Sequence, residues 1–143
     1  MPYAIAQDMI DQFGDREVIA LTDRDQVGVI DSAVLARALA DTDAEIDSYL
    51  AGRYSLPLTG SFPALKRHAC NMARYHLSGA EVTEVDTVRT RYKDAIRYLE
   101  SIRDGKTRLA ADAVGAPASE AARITVVGSD RTFTSDTLAD FTG

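Results

Sequence analysis

Three apolar stripes at helical spacing, each followed by a glycine, limit what this chain can fold into. The first runs through Leu35, Leu39, Ile46, Tyr49 and Leu50 in segment 31–52. Residues three and four apart share one face of an α-helix, so the segment presents a single apolar side. Asp31 or Ser32 can cap its start, and Gly52 is the expected stop. Thr42 followed by Glu45 is a second start signal that allows a break near Asp41. The stripe stays in phase across it, however, which predicts one rod of about 33 Å. The rod's outer face carries Asp41, Asp43, Glu45 and Asp47.

The second stripe is Phe62, Leu65, Ala69, Met72 and His76. Ser61 is its expected cap, Pro63 lies in the first turn where a missing N–H does no harm, and Gly79 ends it. The third is Val85, Val88, Tyr92, Ile96, Leu99 and Ile102, opened by Thr83 with Asp86 and stopped at Gly105. Between the first two lies the elbow RYSLPLTG. Pro57 biases Leu56 away from helix, and in extended backbone Leu56 and Leu58 point the same way, so both can plug the groove between helices.

Ahead of these rods, Ile5, Met9 and Phe13 mark a short amphipathic helix within 3–13, stopped by Gly14, and Asp15 can cap a second short turn, REVIAL. The segment TDRDQVGVI is then a loop, extended near Val27 to Ile30. Asp23, Asp25 and Gly28 fall where a calcium loop has ligands and its glycine. Val27 and Val34 occupy the positions that need an oxygen and a bidentate glutamate, so a solvated turn is the better reading. The N-terminal MPYAIAQDMIDQFG carries acids before any base, unlike a secretory signal.

The expected fold is therefore mainly α. It is a small helical bundle of three long helices plus short N-terminal helices over 1–108, followed by a C-terminal arm, 109–143. Its expected core is Leu35, Leu39, Ile46, Leu50, Leu56, Leu58, Leu65, Met72, Tyr92, Ile96 and Leu99. A chain of 143 residues can bury about two-thirds of its unfolded surface in one domain, and 45% apolar residues suffice for that. The arm starts as an Ala-rich linker and then alternates, so residues 123–134 form a candidate β-hairpin around Gly-Ser-Asp. A lone hairpin is marginal in water, so it needs a partner surface on its own domain or a neighbouring subunit.

Chemistry is harder to find. His68 and His76 are eight residues apart, about 12 Å along a helix, too far to share a metal. His76 is expected at the core edge and His68 exposed. Cys70, the one cysteine, has no orienting partners in the sequence and reads as a buried or half-buried thiol. No phosphate loop, nucleophile elbow or zinc spacing occurs. The expectation is a protein that is not an enzyme and takes no cofactor or metal.

Charge is informative in its distribution. Residues 1–52 carry eleven acids against three bases, residues 53–108 eleven bases against six acids, and residues 109–143 five acids against two bases. Such blocks either complement each other within one molecule or match the opposite block of a neighbouring copy, and head-to-tail contacts of that kind can close a ring. The bases of the third helix interleave with Tyr92 and Tyr98, a pattern that suits phosphate contact plus stacking. A small helical nucleic-acid-binding regulator is thus the rival reading, although the net charge of −6 and the interspersed Asp94, Glu100 and Asp104 count against it.

A family resemblance sharpens this. The string EIDSYLAGRYSLPL, followed by a proline-started helix, ARYHL and the helix from Tyr92 to Gly105, resembles the Mu-like phage neck proteins. These are similar in turn to the head–tail connector adaptors of tailed phages and prophages. The resemblance covers about residues 3–108. It implies a structural adaptor in the virion neck, present in the host cytoplasm during assembly. Implied partners are further copies of itself in a head-to-tail, twelve-fold ring that can be monomeric in free solution. The portal protein and a downstream neck or tail-terminator protein are implied as well. Packaged DNA would pass through the channel without sequence-specific contact, and no membrane is involved. The residues then expected at subunit or portal contacts are Arg89, Arg91, Lys93, Arg97, Arg123, Ile124, Val126, Arg131, Phe133 and Phe141.

Overall fold

The computed structural model describes residues 2–79 and 87–109. Five helices follow in order: α1 (Ala6–Phe13), α2 (Asp15–Thr22), α3 (Ser32–Leu50), α4 (Pro63–Ser78) and α5 (Thr87–Arg103). Among the described residues there is no strand, so the mainly helical expectation holds. The candidate hairpin 123–134 and the start signal at Thr83 and Asp86 lie outside the described residues.

α3, α4 and α5 pack on one another, and α1 and α2 close the side formed by α3 and α4. α3 begins where Asp31 accepts hydrogen bonds from the Ala33 and Val34 N–H groups at 2.9 and 3.1 Å. Both are otherwise unpaired donors of the first turn. The rod continues unbroken past Asp41. Thr42, the residue that allowed a break, is buried and donates back to the Ala38 carbonyl at 2.8 Å.

Several expected boundaries move. α4 starts without a side-chain cap: Phe62, not Ser61, is the capping residue, and Pro63 sets the first helical φ by itself. Gly14, not Asp15, precedes α2, and Asp15 is already helical. α1 begins at Ala6, where the Ile5 N–H is taken by the Asp8 carboxylate at 2.9 Å, and Ile5 is left 51% exposed. α3 stops at Leu50, before Gly52, because the Arg53 and Tyr54 N–H groups both turn back to the Leu50 carbonyl. Gly105 does perform as expected. It takes φ +79°, and the Lys106 N–H reaches back to Ser101. A Cβ there would also run into the Arg53 guanidinium.

The core is continuous. Met9, Val18, Leu35, Ile46, Leu50, Leu65, Cys70, Met72, Leu99 and Ile102 are its largest fully buried apolar side chains. On α5 the buried line runs Val88, Ala95, Leu99, Ile102, so Tyr92 and Ile96 sit at its margin, half-buried. Small Ala95, fully buried, takes the core-facing position between Val88 and Leu99. In the elbow Leu58 is buried and Leu56 half-buried, both against the core. The Leu56–Pro57 peptide is cis.

Candidate functional site

Of the acidic row on α3 only Asp41 lies exposed as an outer-face residue. Asp43, Glu45 and Asp47 are each half-buried and each receives a donor from another segment. The Tyr3 N–H donates to Asp43 at 2.9 Å, and the Tyr3 hydroxyl donates to Asp47. Two turns of α3 thereby clasp the N-terminal segment. Burial drives the Asp43 carboxyl pKa up, against the opposing pull of the Tyr3 N–H. Burial also drives the Tyr3 hydroxyl well above the usual phenol range, and the bond to Asp47 adds to it.

Glu45 is the hub between the three long helices. Its carboxylate accepts the Tyr92 hydroxyl from α5 at 2.6 Å and meets His76 Nε2 from α4 at 3.0 Å. The Tyr92 ring stacks on Tyr75 with centroids 4.1 Å apart, and His76 lies edge-on to Tyr92 at 5.9 Å. Burial first, then the bond to Glu45, lifts the Tyr92 hydroxyl pKa far above its ordinary value. A phenol held protonated in this way is a fixed donor. His76, expected at the core edge, is exposed, and His68, expected exposed, is not. It is half-buried and stacked on Tyr98 at 4.4 Å, with burial and Arg67 both lowering its pKa. Cys70 is buried and its thiol is pushed up to about 11, chiefly by burial. Such a thiol is inert at neutral pH. No group of three or more His, Cys, Asp or Glu that could hold a metal occurs among the described residues. Asp23, from the rejected calcium template, accepts the Val27 and Gly28 N–H groups instead.

The four expected contact bases of α5 divide into two groups. Arg89, Lys93 and Arg97 follow one another at four-residue spacing on one row, while Arg91 falls on the opposite side of the helix. Arg91 borders an open groove of about 680 Å³ shared by α1, α4 and α5, together with Asp8, Asp11, Lys66, Arg67 and Asp94. Across that groove Lys66 pairs with Asp8 at 2.8 Å, a bond that lowers the Asp8 pKa. Lys93 and Arg97 instead border a shallow pocket of about 350 Å³ floored by Tyr49, Tyr92 and Ile96. Arg97 also pairs with Asp94 at 3.3 Å. Arg123, Ile124, Val126, Arg131, Phe133 and Phe141 lie outside the described residues. One ring face of each interleaved tyrosine is already taken, Tyr92 by Tyr75 and Tyr98 by His68.

Sequence reasoning missed Glu45 and the Tyr3 clasp. The available signal was the i, i+4 spacing of Asp43 and Asp47, which puts two carboxylates on one face, but no local pattern says that a residue forty positions away will meet them.

Over the described residues the fold is that of a small, mainly helical protein whose half-buried polar groups fasten its helices to one another. The chain belongs to the family described as Bacteriophage Mu, Gp36, which it matches over residues 3–127. It is 37% identical over 131 residues to gene product J of Escherichia phage Mu, covering 91% of this chain and 92% of that protein. It is 44% identical over 80 residues to Mu-like prophage FluMu protein gp36 of Haemophilus influenzae, covering 56% of this chain and 55% of that one. It is thus a Mu-like phage protein.

Proposed function

We propose that this protein is a head–tail connector, an adaptor in the virion neck that forms a ring beneath the portal and offers a platform to the next neck or tail protein. Membership of the Mu Gp36 family supports a role in the phage particle. The single observation that carries the reading is the uneven charge on a self-sufficient helical core. The block 1–52 is acidic and the block 53–108 basic; Lys66–Asp8 and Arg74–Glu17 join the two within one molecule, while exposed Asp25, Lys93 and Arg97 stay at the surface as parts of two separate regions. Unlike surfaces on one molecule favour head-to-tail association, which closes into a ring when the rotation allows. The residues that carry the resemblance hold this core together. Glu45 links three helices, the Tyr54 hydroxyl accepts the Leu109 N–H at 3.2 Å, and Leu58 is buried.

The test is negative-stain imaging of the purified protein with and without its portal. An annulus on the portal is the expected result, and particles that remain single under both conditions overturn the proposal. The rival, a nucleic-acid-binding regulator, predicts salt-sensitive duplex binding through Arg89, Arg91, Lys93 and Arg97. It has less support, because Arg91 faces away from the row of Arg89, Lys93 and Arg97 and one face of each interleaved tyrosine is already stacked.

A further inference from the structure

The loop between α2 and α3, residues 23–31, is built to show apolar side chains to the outside. Its base is pinned by buried Thr22, whose Oγ1 accepts the Asp31 N–H at 3.2 Å. Its interior is held by Asp23, whose carboxylate accepts from Val27 and Gly28 at 3.0 and 2.6 Å. Gln26 and Gly28 both take positive φ, which turns the chain so that Val27 and Val29 stand 71% and 61% exposed. Ordering a loop costs conformational entropy, and this one spends its hydrogen bonds on presenting two β-branched residues to water. They are flanked by Asp23, Asp25 and Asp31, with Arg24 as the one base.

The pocket between α3 and α5 has the complementary character. Its floor is Tyr49, Tyr92 and Ile96, and Lys93 and Arg97 border it. The Arg103 guanidinium lies over the Tyr49 ring at 6.0 Å and adds positive charge on the same side. An apolar tip carrying acids matches an apolar floor bordered by bases. The two cannot meet within one molecule. Asp31 and Tyr49 are at opposite ends of α3, and eighteen residues at 1.5 Å each separate them by about 27 Å.

We infer that the 23–31 loop of one copy of this chain docks in the Tyr49–Tyr92–Ile96 pocket of the next, with Val27 on the pocket floor and Asp25 against Lys93 and Arg97. The contact is heterologous by geometry, since among the described residues the loop and the pocket lie at opposite ends of α3. The inference rests on the ring reading above and names its subunit contact.

The experiment mixes two variants of the full chain with one added cysteine each, Val27→Cys and Glu100→Cys, with a short bis-maleimide at high protein concentration. Position 100 lies one turn beyond Ile96 on α5, and the native Cys70 is buried. The control pairs Val27→Cys with Arg37→Cys, an exposed position on α3. A covalent dimer from the first pair, in clear excess over the control, is expected. Adding Asp25→Lys to the first partner lowers that yield about fivefold, the worth of one exposed ion pair, and Lys93→Glu on the second partner restores it. A yield no greater than the control overturns the contact. If imaging shows rings without this cross-link, only the contact falls. A cross-link without rings keeps the contact and removes the ring.

Discussion

The Glu45 hub makes a measurable demand on stability. In Tyr92→Phe the ring stays stacked on Tyr75 at 4.1 Å, so only the hydroxyl and its 2.6 Å bond to the Glu45 carboxylate are lost. A hydrogen bond to a charged group contributes about 1.5–3 kcal/mol. The Glu45 side chain is 24% exposed, so water can replace part of the bond, and about 1 kcal/mol is the expected loss. Glu45→Gln keeps the shape and one acceptor but removes the charge shared with His76. The two changes touch one bond, so the double variant should lose less than the sum, with a coupling of about 1 kcal/mol. Urea titration of the four proteins supplies the cycle. For a chain of this size about 1 kcal/mol also moves the midpoint of thermal unfolding by roughly 3–5 °C. Additive losses, with coupling below about 0.3 kcal/mol, would show that the acidic row is a solvated outer face after all, and the hub reasoning would fail.

Three further outcomes can be checked the same way. Leu99→Ala empties a fully buried position between the long helices and should lower stability by about 2–5 kcal/mol, whereas Val27→Ala, at an exposed loop tip, should leave it nearly unchanged. Asp31→Ala removes the cap on two first-turn N–H groups of α3 and should cost about 1 kcal/mol in urea titration, with Asp31→Asn losing much less. His68 has its folded pKa below the ordinary 6.5, so below that pH the unfolded chain binds the extra proton. Stability should therefore be flat just above 6.5 and fall as pH drops through the window beneath it, and His68→Gln should reduce that slope.

The sequence by itself determined where the long helices run, because the period of apolar residues and the chemistry of helix ends are local properties. Leu35 to Leu50 and Leu65 to Met72 repeat at helical spacing, Asp31 and Pro63 suit first turns, and Gly105 suits a left-handed turn. Only the tertiary structure decided what the polar residues do. Asp43, Glu45 and Asp47 look like a solvated row on an isolated helix. They become fasteners because the segment before α1, α4 and α5 arrive over them carrying Tyr3, His76 and Tyr92. The same holds for the bases of α5, which form one list along the chain but face two directions in space. Helical period is written in neighbouring residues, whereas the partner of a side chain depends on which rods meet and at what rotation.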